Sequence, residues 1–386
     1  MSSKKRRKKH TIIITGGGTG GHYYPAIAIA DAILRLSPDM LDGVQITCHY
    51  IGSQYGIESR LVAEKDYPYT MIPVKGFSRY LSLSTLLRNM LLPFRLLHAL
   101  VRTYALYRKL DPMATVATGG YVSGIPGYIS NRMRIPLFVQ EQNAFPGVTS
   151  RILAKRSMGF FYAYDAVKEH MKDDILYIKS GNPVRRDITR IDTRDARECL
   201  GLDPETLTLF IFGGSQGSVN INNYISKRII SWIYKYKIQV LWQTGNISYD
   251  MLHHQFGEHR AIHLLPYIEN MSAAYSAANM VISRAGALTL AEIEKIRVPA
   301  ILIPLPGAAG NHQFYNAKAL EALGCAVVIE EKDFPDNPVT PILNAMIRDP
   351  EHLKAMADAF PRRDEDAAEI IARTIINNLR SFYAWS

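Results

Sequence analysis

The sequence predicts an α/β protein of two domains, each a parallel sheet with helices on both faces. Two glycine-rich turns of related design, Thr15-Gly16-Gly17-Gly18-Thr19-Gly20-Gly21-His22 and Phe212-Gly213-Gly214-Ser215-Gln216-Gly217, stand in opposite halves of the chain. Each follows a short β-branched or aromatic run and precedes a helical pattern, the layout of a strand-turn-helix phosphate site. Strand-like and helical runs alternate from end to end, which favours parallel sheets covered on both sides. The chain of 386 residues, 47% of them hydrophobic, is long enough for two ordinary cores.

In chain order, strand-like runs fall at residues 12–15, 45–51, 115–118, 137–140, 159–162, 207–212, 239–243, 280–283, 300–304 and 326–329. Helical patterns lie between them. The first, over residues 25–36, has Pro25 in its first turn and apolar positions at Ala26, Ile27, Ala30, Ile33 and Leu34. The turn Gly181-Asn182-Pro183 marks the domain junction. This gives a basic tail over 1–10, a first domain over 11–182 and a second over 183–364.

The formal charge of +10 is concentrated in two places. One is Lys4 to Lys9. The other is residues 75–109, with Lys75, Arg79, Arg88, Arg95, Arg102, Arg108 and Lys109 and no acidic residue. Together these exceed the whole net charge, so the remainder is slightly acidic. The tail has no aromatic or glycine interleaving and reads as a solvated segment, with no nucleic-acid partner expected. The apolar stretch after it, Ile12 to Ile14, is far shorter than a signal-peptide core and runs straight into the glycine turn, which argues against secretion. Three widely spaced cysteines, Cys48, Cys199 and Cys325, form no metal or redox motif and suit a reducing compartment.

Within 81–109, Arg88, Arg95, Arg102 and Lys109 recur every seven residues and share a helical face, while leucines and other apolar residues cover the rest. Pro93 divides the segment into two helices and starts the second. The charges recur too often for a transmembrane span. Two readings fit: a crossover helix packed on the core with a wet basic face, or an amphipathic surface resting on anionic lipid. A mixture of the two fits as well.

The glycine turns match neither standard nucleotide label. Gly16, Gly18 and Gly21 satisfy the dinucleotide spacing, but the second strand ends in Gly52-Ser53-Gln54, without the acid that would take a ribose diol. A P-loop fails because His22 stands where a lysine is needed. What remains is a glycine cradle with a histidine at its lip, and a second cradle in the other domain.

Further motifs stand in order along the chain: Gly119-Gly120-Tyr121-Val122-Ser123-Gly124, Glu141-Gln142-Asn143 with Pro146-Gly147, Gly181-Asn182-Pro183-Val184-Arg185, Arg284-Ala285-Gly286-Ala287-Leu288-Thr289 with Glu292, and His312-Gln313 with Asn316-Ala317. With the two glycine turns, they resemble the MurG-type glycosyltransferases, from about residue 11 to the C-terminal helix. The resemblance implies a GT-B fold, two Rossmann-like domains facing a central cleft, with residues 365–386 as a helix returning to the first domain. It also implies inverting transfer of N-acetylglucosamine from UDP-GlcNAc to the 4-hydroxyl of the muramoyl sugar of undecaprenyl-diphospho-muramoylpentapeptide (lipid I). The place of work would be the cytoplasmic face of the bacterial plasma membrane, as a peripheral protein touching the anionic surface through residues 75–109.

Chemistry agrees with the resemblance. Loss of a nucleotide diphosphate builds negative charge that either a metal or fixed N–H groups and helix N-termini must meet. The only Asp-x-Asp match, Asp364-Glu365-Asp366, sits in a charged helix start beside Arg362 and Arg363, so neither a metal nor a cofactor is expected. The second glycine cradle, Ser215 and Arg185, placed by analogy with the family, are then assigned to the diphosphate. Histidine is the side chain suited to act as a base at neutral pH; His22 either takes the acceptor's proton or shapes the loop by hydrogen bonding. Glu292 either grips the ribose hydroxyls, as in the family, or completes a capping box with Thr289. By the same resemblance, Ile268 and the run Ala287, Leu288, Thr289, Leu290, Ala291 and Glu292 would bring backbone groups to the nucleotide, Gln313 and Asn143 would serve the sugar hydroxyls, and Thr19, Gly20 and Gly21 would complete the donor site from the first domain. Gly18, His22 and Tyr121 are placed on the acceptor side.

Several residues depart from the family pattern: bulky Tyr23 and Tyr24 behind the histidine, the uncharged Gly307-Ala308-Ala309-Gly310 loop, and the basic tail. Two rivals remain to be separated. Another GT-B transferase or a UDP-sugar epimerase would keep the cradles but lack the Gly119 to Gly124 and Gln142-Asn143 signatures, and a nucleic-acid-binding protein would release no UDP.

Overall fold

The computed structural model describes residues 9–41, 44–66, 68–75, 92–171, 174–214, 216–362 and 365–384. Residues 4–8 of the tail, Arg79, Arg88, Ser215, Arg363 and Asp364 lie outside them. The chain divides into two compact units, Met1–Arg185 with Asp364–Ser386, and Arg186–Arg363. The division after Arg185, rather than after Asn182, has a local cause. Asn182 donates to Gln142 O at 2.9 Å and accepts from Gln140 at 3.3 Å, and the Arg185 guanidinium lies 5.0 Å from the Tyr24 ring centre. These contacts tie the junction to the first unit.

The first unit holds a seven-stranded sheet of β1 (Lys9–Thr15), β2 (Gln45–Ser53), β3 (Tyr69–Ile72), β4 (Ala114–Ala117), β5 (Leu137–Glu141), β6 (Gly159–Tyr162) and β7 (Tyr177–Lys179). Their order is β3-β2-β1-β4-β5-β6-β7 and every pairing is parallel. Ile12, Ile13 and Ile14 are all fully buried because helices cover both faces. Alternation sends Ile12 and Ile14 to one core and Ile13 to another. The first core lies under the helix Gly20–Met40 and the last helix, Ala367–Phe382, through Ala26, Ile29 and Ile33 against Ile371, Ile375 and Leu379. The C-terminal helix thus completes the core begun by the first helix.

The second unit holds β8 (Thr208–Phe212), β9 (Gln239–Gln243), β10 (Ile262–Leu265), β11 (Met280–Ser283), β12 (Ala300–Leu302) and β13 (Ala326–Val328), in the order β10-β9-β8-β11-β12-β13 and again all parallel. In both sheets the chain starts in the middle, runs to one edge, and then crosses to the other side of its first strand. Between β1 and β4, and between β8 and β11, connections leave in opposite directions, which opens a crevice at the carboxyl ends of those strands.

Some sequence expectations are corrected. β1 starts at Lys9, so Lys9 and His10 belong to the sheet, paired with Gln45 and Ile46, and not to the tail. The ladder with β2 carries the strand back beyond Ile12, its first apolar residue. The first helix starts at Gly20, which puts Pro25 inside it rather than in its first turn. Burial of Tyr23, Ala26 and Ile27 on both sides of Pro25 holds the helix through the missing N–H. Pro93, by contrast, does fall in the first turn of its helix, Leu92–Leu110.

Candidate functional site

The first glycine turn follows β1 directly and the Gly119-Gly120 turn follows β4, so both lie at the switch point of the first sheet. They are packed to the limit. A Cβ on Gly120 would stand 2.2 Å from Gly17 O, and one on Gly119 would stand 2.9 Å from His22 Nδ1, at backbone φ values of +75° and +94°. Only glycine allows this approach of the second turn to the first.

His22 lies in the first turn of the helix Gly20–Met40. Its Nδ1 is 3.1 Å from Thr118 O and 3.0 Å from Gln142 Oε1. Gln142 uses its Nε2 to donate to Thr118 O at 2.6 Å and to Gln140 Oε1 at 2.5 Å. Thr118 O is an acceptor in any protonation state, so it fixes which end of the Gln142 amide faces it. Both neighbours of Nδ1 are therefore acceptors, and the neutral ring carries its hydrogen there. The lone pair is left on Nε2, and the Thr118 hydroxyl, donating to His22 O at 2.7 Å, anchors the backbone below it.

Tyr121 stands against the same loop, where a Cβ on Gly18 would come within 2.8 Å of its ring. Burial raises its phenol above the ordinary value, opposed by a hydrogen bond with Ser53 and reinforced by Glu58. Glu58 is fully buried beneath the loop and accepts from Gly18 N and Ser53 N. Nothing in the sequence singles it out, because a glutamate five positions beyond the end of a strand carries no motif. Asn143 is oriented by Glu141, whose Oε1 accepts both its backbone N and its Nδ2 at 3.0 Å, while Oε2 accepts from Gly147 N. Thus Gly18, Thr19, Gly20, Gly21, His22, Tyr121, Asn143 and Arg185 all belong to the first unit. The two bulky residues behind the histidine divide their roles: Tyr23 is buried in the core and Tyr24 lies under the Arg185 guanidinium.

In the second unit, the turn after β8 leads into the helix Val219–Ser226, which Ser218 caps by accepting from Ile221 N. Gly217 and Gly245 cross so closely that a Cβ on either would meet the other loop's carbonyl at 2.1 Å. The turn after β11 leads into the helix Ala287–Ile296, whose first N–H groups meet no side-chain cap. Those of Ala287, Leu288 and Thr289 point out of the helix start, where negative charge is favoured. Leu290 N already bonds to Gly286 O, and Leu290 and Ala291 are buried, so they act through packing.

In this unit the structure narrows two expectations, for Ile268 and Gln313, and overturns one, the capping box. The Ile268 N–H is spent on Gln243 Oε1 at 2.8 Å, so the residue has its carbonyl to offer a ligand. Thr289 lies inside its helix and the cap is Gly286, so Thr289 and Glu292 form no capping box. Glu292 is instead buried, and Tyr275 OH donates to its Oε2 at 2.9 Å. Gln313 binds Leu305 N through Oε1 at 2.9 Å, leaving its NH2 end for a ligand. Arg284, from the same motif as Glu292, is buried structure: it bonds Ser218 Oγ at 2.7 Å, the carbonyls of Ile303 and Pro304, and Glu331.

The acidic triplet is also structural where it is described. Asp366 caps the last helix through Ala368 N at 3.0 Å, and Glu365 pairs with Arg373 at 2.9 Å. Among the described residues, no group of three or more His, Cys, Asp or Glu is placed to hold a metal ion.

Residues 12–160 match the glycosyltransferase family 28 N-terminal domain and residues 208–373 its C-terminal domain. A protein of Salinibacter ruber is 36% identical over 358 residues, 92% of this chain and 93% of its own length. One of Acetivibrio thermocellus is 36% identical over 87% of this chain and 89% of its own. Both are named UDP-N-acetylglucosamine–N-acetylmuramyl-(pentapeptide) pyrophosphoryl-undecaprenol N-acetylglucosamine transferase. The chain belongs to the MurG family of glycosyltransferases. The crystal structure of Acinetobacter baumannii MurG superposes with a TM-score of 0.68 at 25% identity, covering 97% of this chain and all of that one. The fold is therefore GT-B, two Rossmann-like domains. The Neisseria meningitidis UDP-GlcNAc 2-epimerase, solved bound to UDP-GlcNAc, shares that fold with a TM-score of 0.61 at 13% identity over 97% of this chain and 100% of its own, a likeness of architecture alone.

Proposed function

We infer that this enzyme transfers N-acetylglucosamine from UDP-GlcNAc to the 4-hydroxyl of undecaprenyl-diphospho-MurNAc-pentapeptide, giving the β1,4-linked lipid II and UDP. The observation that carries the reading is identity of about one residue in three, over nearly the whole chain, with relatives named for this reaction. The site residues support it chemically.

In this proposal the acceptor hydroxyl oxygen attacks the anomeric carbon as the bond from that carbon to the β-phosphate oxygen breaks, and UDP departs with the bonding electrons. The configuration inverts in the single displacement. His22 Nε2 takes the hydroxyl proton, its lone pair kept available by the hydrogen on Nδ1. Amides at the start of the helix Ala287–Ile296 meet the charge growing on the diphosphate, helped by Ser215 and Arg185, with no metal in the step. Glu292, held by Tyr275, takes the ribose hydroxyls. Gln313 and Asn143 hold the sugar, while Thr19, Gly20, Gly21 and the carbonyl of Ile268 complete the contacts. Tyr121 serves the acceptor, and Gly18, whose amide is spent on Glu58, serves it through the shape of the loop and not as a donor.

We place the enzyme peripherally on the cytoplasmic face of the plasma membrane. Among the described residues no helix is long and apolar enough to cross a membrane. On the helix Leu92–Leu110, Ala99, Thr103 and Tyr107 face the core, while Phe94, Leu97, Val101 and Tyr104 form an exposed row, Phe94 being 73% exposed. Arg102, Arg108 and Lys109 are exposed beside it. An apolar row among basic residues is the pattern that inserts shallowly into anionic lipid.

The test is UDP release from UDP-GlcNAc with a short-chain lipid acceptor, with and without EDTA. Acceptor-dependent release that survives EDTA is expected. Release independent of the acceptor would mean that water takes the sugar and would refute the transfer, an epimerase would give an isomeric UDP-sugar with no net UDP, and loss of activity with EDTA would refute the metal-free step.

A further inference from the structure

A glycine turn after a strand offers backbone amides to an anion, yet here the protein itself supplies a carboxylate to the Gly18 amide. Glu58 opens a one-turn helix, Glu58–Leu61, just beyond β2, and its side chain folds back under the loop until none of it is exposed. The carboxylate accepts from Gly18 N at 2.9 and 3.1 Å and from Ser53 N at 2.9 Å. It fills the space completely: a Cβ on Gly17 would stand 2.3 Å from Oε1, and one on Gly56 would stand 2.1 Å from Oε2. In a dinucleotide enzyme an acid near this strand end would face outward to a ribose. Here it faces inward, to the loop.

We propose that Glu58 is a positioning residue for the transfer, a built-in anion that sets the first glycine turn. By holding the Gly18 N–H it keeps Gly18 at φ +88° and fixes the stretch leading through Thr19 to His22. It also removes the Gly18 amide from the donors open to a substrate, and its charge turns the phosphates of the lipid acceptor away from the base of the loop. The proposal rests on the reading that this loop serves the acceptor.

Two variants test it. Glu58→Gln keeps the shape but turns an NH2 group toward backbone donors. Glu58→Ala empties a carboxylate-sized space that formate can refill. For Glu58→Gln the expected result is a fall in kcat of roughly tenfold to a hundredfold with a short-chain acceptor, the scale of a misplaced catalytic group. UDP affinity and the unfolding midpoint should stay near those of the parent. Formate should restore part of the activity of Glu58→Ala, and chloride at equal ionic strength should not. Parental kcat and acceptor KM in Glu58→Gln would overturn the proposal. So would a loss that merely follows loss of folded protein, seen as a lowered midpoint, weakened UDP binding and no response to formate. Failure of His22 as the base is read separately: His22→Ala would then keep its turnover whatever Glu58→Gln does.

Discussion

His22 Nδ1 lies 3.0 Å from Gln142 Oε1, a contact between residues 120 positions apart that sets the tautomer of the proposed base. Because Gln142 is itself held by Thr118 O and Gln140, the amide cannot turn to offer its nitrogen to the ring without losing both bonds. Replacing His22 by alanine should lower kcat by about 10²-fold or more, the usual worth of a general base. A decrease under tenfold would remove His22 from that role. Gln142→Leu keeps the ring but removes one of its two acceptors, and its kcat should fall less, by roughly fivefold to twentyfold, at unchanged UDP affinity. Steady-state rates with a short-chain acceptor check both.

Glu292 and Tyr275 form the corresponding pair in the second unit. If the carboxylate takes the ribose hydroxyls, Glu292→Gln should weaken UDP binding by roughly tenfold, the loss of a charge-assisted hydrogen bond. Tyr275→Phe leaves the carboxylate in place but unsupported on one side, and should cost less than half as much in free energy. Calorimetric titration with UDP measures both, and equal binding by parent and Glu292→Gln would show that the glutamate is structural only.

The exposed row on the helix Leu92–Leu110 gives a prediction separate from catalysis. Phe94→Glu with Val101→Glu places charge where lipid contact is proposed, while neither side chain supports the core. Sedimentation with vesicles containing anionic lipid should show binding reduced about tenfold or more. Turnover of a short-chain acceptor in solution should be unchanged. Retention of vesicle binding would move the membrane contact elsewhere on the protein.

Acid sensitivity follows from two histidines. Burial holds His49, on β2 and 2.8 Å from Thr70 Oγ1, below its ordinary value, and burial does the same to His263 on β10. For such a group the unfolded chain binds the proton more readily than the folded one. Stability is therefore fully present above the unfolded value, about 6.5, and is lost as pH falls from there through the lower folded value. The unfolding free energy of the parent should fall between about pH 7 and 5, and the slope should be shallower in His49→Gln with His263→Gln. An unchanged slope would assign the acid sensitivity to other groups.

The strands missed in the sequence are informative: β3, β7 and β10 are all edge strands. These three are short and only partly covered, so they lack the continuous apolar run that marks Ile12 to Ile14 or Leu209 to Phe212, and that the edge strand β13 keeps. The capping-box reading of Thr289 and Glu292 failed for a related reason. The side-chain spacing was right, but the helix starts where β11 releases the chain, and that point is set by the sheet.

The sequence alone determined the two-domain α/β class, the glycine turns, the order of motifs and the family, because these depend on local backbone demands and on which residues follow one another. Tertiary structure alone decided that Glu58 fills the first turn, that Gln142 and Thr118 fix the His22 hydrogen, that Tyr275 holds Glu292, and that Ile268 has spent its amide. Each of those facts is a hydrogen bond between segments that meet only once parallel strands have been ordered by crossover connections. No local pattern encodes which carboxylate or amide arrives at a given crevice, since that depends on the packing of the whole sheet.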